Sequence, residues 1–76
     1  MNYKVNGDQR KSNSVGLTVE EVLTIEKVRN PNIVAVQVNG LFLNKQLFGS
    51  TTVGNGDEVE FVYFMAGGRM DMRMDK

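Results

Sequence analysis

The sequence predicts an α+β fold in which one main helix packs across one face of a mixed sheet of four to five strands. Three observations support this prediction. Apolar and polar residues alternate at the start of the chain, an apolar period of three to four residues follows, and alternation then returns for most of the remaining length. Strands on both sides of a single helix are typical of α+β domains, in which the helix covers the apolar face of the sheet. The predicted arrangement is a β-grasp roll.

The first element is predicted to be a β-hairpin. Tyr3 and Val5 alternate with polar residues, and Asn6-Gly7 is a pair well suited to the positive φ angles of a two-residue turn. The return strand is polar and is expected over residues 9–13, at an edge of the sheet.

The helix is predicted over residues 19–28, where apolar side chains recur every three or four positions. Thr18 and Glu21 have the spacing of a capping box, in which each side chain accepts a hydrogen bond from the backbone N–H of the other residue. Acidic residues near the start and Lys27 near the end agree with the helix dipole. Pro31 is expected to prevent the helix from continuing.

Two more strands are predicted directly after the helix. The residues from Val34 to Val38 alternate between apolar and smaller or polar side chains, which indicates a strand. Asn39-Gly40 then supplies a second turn signal, and a short partner strand is expected over residues 41–43.

The last strand is predicted at residues 58–64, after a turn built on residues 54–57. Successive side chains of a strand point to opposite faces of the sheet, so one set should face the helix and the other should face outward. The inward residues are Val59, Phe61 and Tyr63, and the outward residues are Glu58, Glu60, Val62 and Phe64.

The size and composition of the chain exclude most catalytic chemistry. A chain of 76 residues buries only about 60% of the surface that its unfolded form exposes, so one small core without a deep pocket is expected. The absence of Cys and His excludes disulfides, thiolate and imidazole metal sites, and the common nucleophile pairs. We therefore expect that the protein is not an enzyme and that it binds no metal or cofactor itself.

The charge balance argues against two classes of partner. Nine Lys and Arg residues stand against nine Asp and Glu residues, so there is no basic surface for nucleic acid or for an anionic membrane. No apolar stretch has the length of a signal peptide or the roughly 20 residues of a membrane span. A cytoplasmic protein is expected.

Two further patterns are interpreted as ordinary structure. The segment GSTTVGNGDE at residues 49–58 lacks the Gly-Lys-Ser/Thr ending of a phosphate loop, and no helix follows it, so it indicates a turn. Acidic side chains at the helix start and on the outward strand face are expected to be solvated rather than catalytic. They are Glu20, Glu21, Asp57, Glu58 and Glu60.

Three motifs together resemble the ThiS family of sulfur carriers in thiamine biosynthesis, which are ubiquitin-like β-grasp proteins. They are Val-Asn-Gly at residues 38–40, NGDEVEF at residues 55–61, and the apolar-Ala-Gly-Gly finish at residues 64–68. Each motif alone is weak, whereas their order and spacing are fairly specific. The resemblance covers residues 1–68, which we expect to form one sulfur carrier domain.

The resemblance implies that a ThiF-type adenylyltransferase uses ATP to adenylate the carboxylate of Gly68, which is then converted to a thiocarboxylate. A ThiG-type thiazole synthase would use this group as its sulfur source. Met65, Ala66 and Gly67 would form the extended arm that is threaded into the activating site, where a residue without a Cβ avoids collisions. The predicted partner-docking surface consists of Phe42, Val62 and Phe64.

Residues 69–76 depart from the family pattern, because Gly68 is linked to Arg69 by an amide bond. Methionine at every second position from Met70 would make a strand amphipathic, whereas a helix would bring like charges together. A disordered tail is the expectation. Three explanations stay open: the tail is not native, a protease removes it, or the protein does not carry sulfur.

Other functions are also compatible with these residues. The same arm would suit a sulfur carrier for another product, such as molybdopterin or cysteine. A different class is a ubiquitin-like module that binds partners non-covalently and whose glycine pair is inert.

Overall fold

A computed structural model describes residues 1–28, 30–64 and 70–71. The helix in this part of the chain is α1 (Val19–Ile25), and short 3-10 turns lie at Pro31–Ile33 and Lys45–Leu47. The strands are β1 (Asn2–Val5), β2 (Asp8–Lys11), β3 (Leu17–Thr18), β4 (Val34–Val38), β5 (Leu41–Leu43), β6 (Thr52–Val53), β7 (Glu58–Phe64) and β8 (Met70–Asp71).

The main sheet has the strand order β2-β1-β7-β4-β5, and β8 pairs with β7 outside this order. β7 runs antiparallel to β4 from the pair Val38–Val59 to the pair Val34–Tyr63. It runs parallel to β1, which makes the sheet mixed. With α1 on one face, this architecture confirms the predicted β-grasp roll.

The two Asn-Gly turns are confirmed. The φ angles are 50° and 86° at Asn6 and Gly7, and 53° and 87° at Asn39 and Gly40. Positive φ at both central residues defines the hairpin turn whose twist matches that of the flanking strands. The first turn places Asp8 directly opposite Val5. The return strand is therefore Asp8–Lys11 and not residues 9–13, because a two-residue turn leaves no room for an unpaired residue.

Each turn asparagine also binds the backbone of β7. The N–H of Phe61 donates to Oδ1 of Asn6 over 2.8 Å, and the N–H of Glu58 donates to Oδ1 of Asn39 over 2.9 Å. The side-chain amide of Asn39 additionally donates to Asp57 over 3.1 Å. Both asparagines thus have a second role, because they hold the hairpins against the central strand. Sequence reasoning identified only their role in the turns.

The start of α1 has the predicted capping box. The N–H of Glu21 donates to Oγ1 of Thr18 over 3.1 Å, and the N–H of Thr18 donates to Oε1 of Glu21 over 2.8 Å. Two of the N–H groups that a helix start leaves unpaired are satisfied in this way.

The helix ends at Ile25, three residues before the predicted end. Lys27 adopts a left-handed conformation with φ of 65°. Its N–H donates to the carbonyl of Thr24, and the N–H of Val28 donates to the carbonyl of Leu23. These two bonds form a Schellman motif, which stops the helix before Pro31 is reached.

The core lies between α1 and the inner face of the sheet. Val59 and Phe61 are buried in it and Tyr63 packs against it, as the alternation along β7 predicts. Strands β3 and β6 pair with each other and contribute one buried residue each. The cluster consists of Tyr3, Val5, Leu17, Val19, Val22, Leu23, Val34, Val36, Phe48, Val53, Val59 and Phe61.

An ion pair connects the second strand to the end of the helix. Nε and Nη2 of Arg10 donate to the two carboxylate oxygens of Glu26 over 2.9 and 3.2 Å. The hydrogen bond to Glu26 raises the pKa of the Arg10 guanidinium above its usual value. Burial, together with the charge of Glu26, raises the pKa of the Tyr3 phenol. Both shifts favour the protonated form, so the stability they contribute is present at neutral pH and decreases in strongly alkaline solution.

We expect Lys27→Gly to stabilise the fold. Glycine adopts positive φ without the steric penalty of a Cβ, so the free energy of unfolding should rise by about 0.5–1 kcal/mol. Urea denaturation of both proteins measures the difference. Thr24→Gly is the matched control, because Thr24 is exposed within the helix and glycine there should destabilise it. Equal stability of Lys27→Gly and the unaltered chain would contradict this account of the helix end.

We expect Asn6→Gly and Asn6→Ala to destabilise the fold by different amounts. Glycine keeps the positive φ but removes the acceptor for the Phe61 N–H, which should cost about 1 kcal/mol. Alanine also strains the backbone and should cost roughly 1 kcal/mol more. Urea denaturation tests both, with Asn13→Gly in the exposed loop after β2 as the control. If Asn6→Gly matched the control, the hydrogen bond to Phe61 would carry no stability.

Candidate functional site

The candidate site begins on the sheet face opposite α1. Alternation along the strands points Lys4, Glu58, Glu60 and Phe42 to this face, and all four are exposed. Gln37 pairs with both Phe42 and Glu60, so these three side chains form one row across β5, β4 and β7. The row places an aromatic side chain and an acidic one about 10 Å apart, which is two strand spacings.

The three predicted docking residues have different surroundings. Phe42 is 62% exposed, which suits a contact with a partner. Val62 is 4% exposed and therefore offers almost no surface, so the structure does not support it as a docking residue. It pairs with Ala35 on β4 and is not a member of the core cluster under α1. The side chain of Phe64 lies outside the described residues.

The structure does not bring Phe42 and Val62 into one patch. Phe42 is in register with Glu60, which is two strand spacings away on β7, and Val62 lies two residues further along β7. Phe42 and Val62 are therefore about 12 Å apart. Leu41, the preceding residue of β5, is 74% exposed, but alternation along the strand points its side chain to the opposite face of the sheet from Phe42. The sequence placed Leu41 in a strand without indicating its exposure, because a three-residue strand has too short an alternation to identify a buried face.

The predicted arm, Met65, Ala66, Gly67 and Gly68, lies outside the described residues. The structure does define where the arm starts, because β7 ends at Phe64 as the sequence predicts. Gly68 is therefore the fourth residue after the central strand of the sheet.

The tail was expected to be disordered over residues 69–76. Two of its residues, Met70–Asp71, form β8 and pair antiparallel with Phe64 and Tyr63 of β7. Residues 69 and 72–76 lie outside the described part of the chain. The amphipathic alternation of the tail is thus compatible with a strand at the only tail positions that the structure describes.

The five acidic side chains that the sequence predicts to be solvated have different surroundings. Glu20, Glu21, Glu58 and Glu60 are exposed. Asp57 is half-buried, and its carboxylate accepts hydrogen bonds from the N–H of Gly54 and from Asn39, so it stabilises the predicted turn.

A depression of about 250 Å³ lies near the start of β7, at the end of the strand that is remote from Phe64. Beside it, the N–H of Asn2 donates to Oδ1 of Asn55 over 2.8 Å. Among the described residues, no group of His, Cys, Asp and Glu could hold a metal ion. Over the same residues, no helix has the length and apolarity needed to cross a membrane.

Comparison with known proteins points to one family. The family model described as the ThiS family matches residues 3–68. A crystal structure of a thiamine biosynthesis protein (ThiS) from Geobacter metallireducens is 43% identical, with a TM-score of 0.81, and the match covers 90% of this chain and 100% of that one. A solution structure of a thiamine biosynthesis protein from the same organism is 39% identical, with a TM-score of 0.72 over 100% of this chain and 99% of the other. No curated protein matches significantly.

These matches confirm the family resemblance that the three sequence motifs indicated. They also agree with the ubiquitin-like β-grasp architecture, since the superposition extends over nearly the whole chain.

Proposed function

Because the chain belongs to the ThiS family, we propose that it is a sulfur carrier for thiamine biosynthesis and that Gly68 is the residue that carries the sulfur. The observation that supports this most directly is the extent of the family match. It ends at Gly68 itself, so the residue that would be activated is the last residue of the matched region.

The proposed chemistry begins with a free carboxylate on Gly68. A carboxylate is a poor electrophile, and a ThiF-type adenylyltransferase would use ATP to convert it to an acyl-adenylate with a good leaving group. A sulfur donor then displaces the adenylate and forms the thiocarboxylate. A ThiG-type thiazole synthase takes the sulfur for the thiazole ring.

The carrier contributes position rather than catalysis in this scheme. Its terminus is attached to β7, which β4 holds along five residue pairs, so the arm starts from a fixed point. Adenylation needs no acid or base from the carrier, and the chain has neither His nor Cys. The partners supply the catalytic groups.

Phe42 is the residue of the predicted docking surface whose exposure supports a docking role. Phe42 combines large apolar area with exposure, and aromatic residues commonly supply much of the binding energy in interfaces. Glu60 lies in the same row and would add a charged rim to this contact.

Residues 69–76 must be removed before Gly68 can be activated. We propose that a protease cuts the bond between Gly68 and Arg69. The full chain would then be a precursor, and the chain that ends at Gly68 would be the active carrier.

The central test uses the chain that ends at Gly68. Incubated with the activating partner, ATP and a sulfur donor, it should gain the mass expected when one oxygen is replaced by sulfur, as measured by intact-protein mass spectrometry. The full chain should show no such gain, because its Gly68 has no free carboxylate.

The matched control for this test ends at Gly67. It keeps the same fold and a terminal glycine carboxylate, but its arm is shorter by about 3.4 Å, the length of one extended residue. It should not gain sulfur. An unmodified mass for the Gly68 chain, with a partner shown to activate another carrier, would contradict the proposed function.

The docking role of Phe42 is tested by Phe42→Asp in the chain that ends at Gly68. An aspartate in a desolvated apolar contact should weaken binding to the activating partner by at least about fivefold, as measured by calorimetry. Val15→Asp is the control, because Val15 is an exposed apolar residue in the loop between β2 and β3. Equal affinities of the two variants would exclude Phe42 from the interface.

A further inference from the structure

The N-terminal hairpin covers only the first part of one edge of the central strand β7. On the other side, β4 pairs with β7 as far as Tyr63. β1 pairs with it only at Glu58 and Val59, and the chain then turns away at Asn6-Gly7. The second half of β7 therefore extends beyond β1 on that side.

The backbone groups on this edge can be assigned from the hydrogen bonds nearby. The N–H of Asn6 donates to the carbonyl of Val59 over 2.9 Å, and the N–H of Phe61 donates to the side chain of Asn6 over 2.8 Å. Odd-numbered residues of β7 thus direct their backbone groups to this side. Because the direction alternates along a strand, the N–H and C=O of Tyr63 also point to it.

β8 occupies this part of the edge. Asp71 is the partner of Tyr63, and Met70 is the partner of Phe64. Since the backbone groups of Tyr63 point to β8, the pair Tyr63–Asp71 is the one that exchanges hydrogen bonds. Unpaired backbone groups at a sheet edge attract extended segments, and this segment is attached to the same chain.

We propose that the edge of β7 at Tyr63 and Phe64 is a strand-docking site and that its occupant in the uncut chain is the chain's own β8. Only residues 65–69 connect the paired positions Phe64 and Met70. Gly68 therefore lies in the sequence between two paired positions of the sheet, and in the uncut chain it is not a terminus.

A cut after Gly68 would separate β8 from the segment that follows β7. The covalent connection gives β8 a high effective concentration at the edge, and a two-residue strand has too few contacts to stay bound without it. The cut would therefore free the terminal carboxylate and empty the edge of β7 in one step. The significance of this release rests on the proposed function, whereas the pairing itself does not.

The experiment measures amide hydrogen exchange at Tyr63 by NMR in the full chain, in its Asp71→Pro variant and in the chain that ends at Gly68. Proline removes the N–H of residue 71 and places its ring against β7. Exchange at Tyr63 should be about tenfold faster in both altered chains, as expected when a hydrogen bond of ordinary net strength is lost. Exchange at Phe61 should stay unchanged, because Asn6 binds its N–H in all three.

The matched control is Met70→Pro in the full chain. The N–H of residue 70 points away from β7 by the same alternation, so its loss removes no bond to the strand. Tyr63 should exchange more slowly in this variant than in Asp71→Pro.

Equal exchange rates at Tyr63 in the full chain and in Asp71→Pro would overturn the proposal. This result is independent of sulfur transfer. Protection at Tyr63 in a chain that never forms a thiocarboxylate would support the docking site and contradict the carrier function. Thiocarboxylate formation without protection at Tyr63 would support the carrier function and contradict the docking site.

Discussion

Hydrogen bonding on both sides of β7 is the constraint on which the rest of the structure depends. β4 is antiparallel to it along five residue pairs, and β1 is parallel to it at the opposite edge. The last strand of the chain thereby joins the first hairpin to the strands that follow the helix. Its inner face supplies Val59 and Phe61 to the core under α1, so sheet pairing and core packing are determined by the same residues.

The same constraint defines the starting point of the C-terminal segment. A carrier must present its terminus to different partners in a reproducible way, and the segment that leads to Gly68 starts from the end of the central strand at Phe64. The two hairpin turns strengthen this base, because Asn6 and Asn39 bind backbone N–H groups of β7. The turn at Asn6-Gly7 leaves one edge of β7 open, and β8 pairs at that edge, so the geometry of the first hairpin also affects the tail.

Much of the fold could be predicted because its signals are local. The Asn-Gly turns, the capping box at Thr18 and the bounds of β7 each depend on residues a few positions apart. The end of the helix could not be predicted, because lysine has no preference for the left-handed conformation that Lys27 adopts. The docking surface stays a prediction: the exposure of Phe42 is compatible with a docking role, whereas the burial of Val62 is not.

The sequence by itself determined the family, the order of α1 and the strands β1, β2, β4, β5 and β7, the two faces of the last strand and the position of the glycine pair, because these depend on residue types and spacing along the chain. Only the tertiary structure decided that Asn6 and Asn39 bind β7, that Val62 is buried and that Met70–Asp71 pairs beside Tyr63. These features depend on which strands become neighbours. Asn6 and Phe61 are distant in the sequence and come into contact only when β1 pairs with β7. No local sequence pattern predicts that contact.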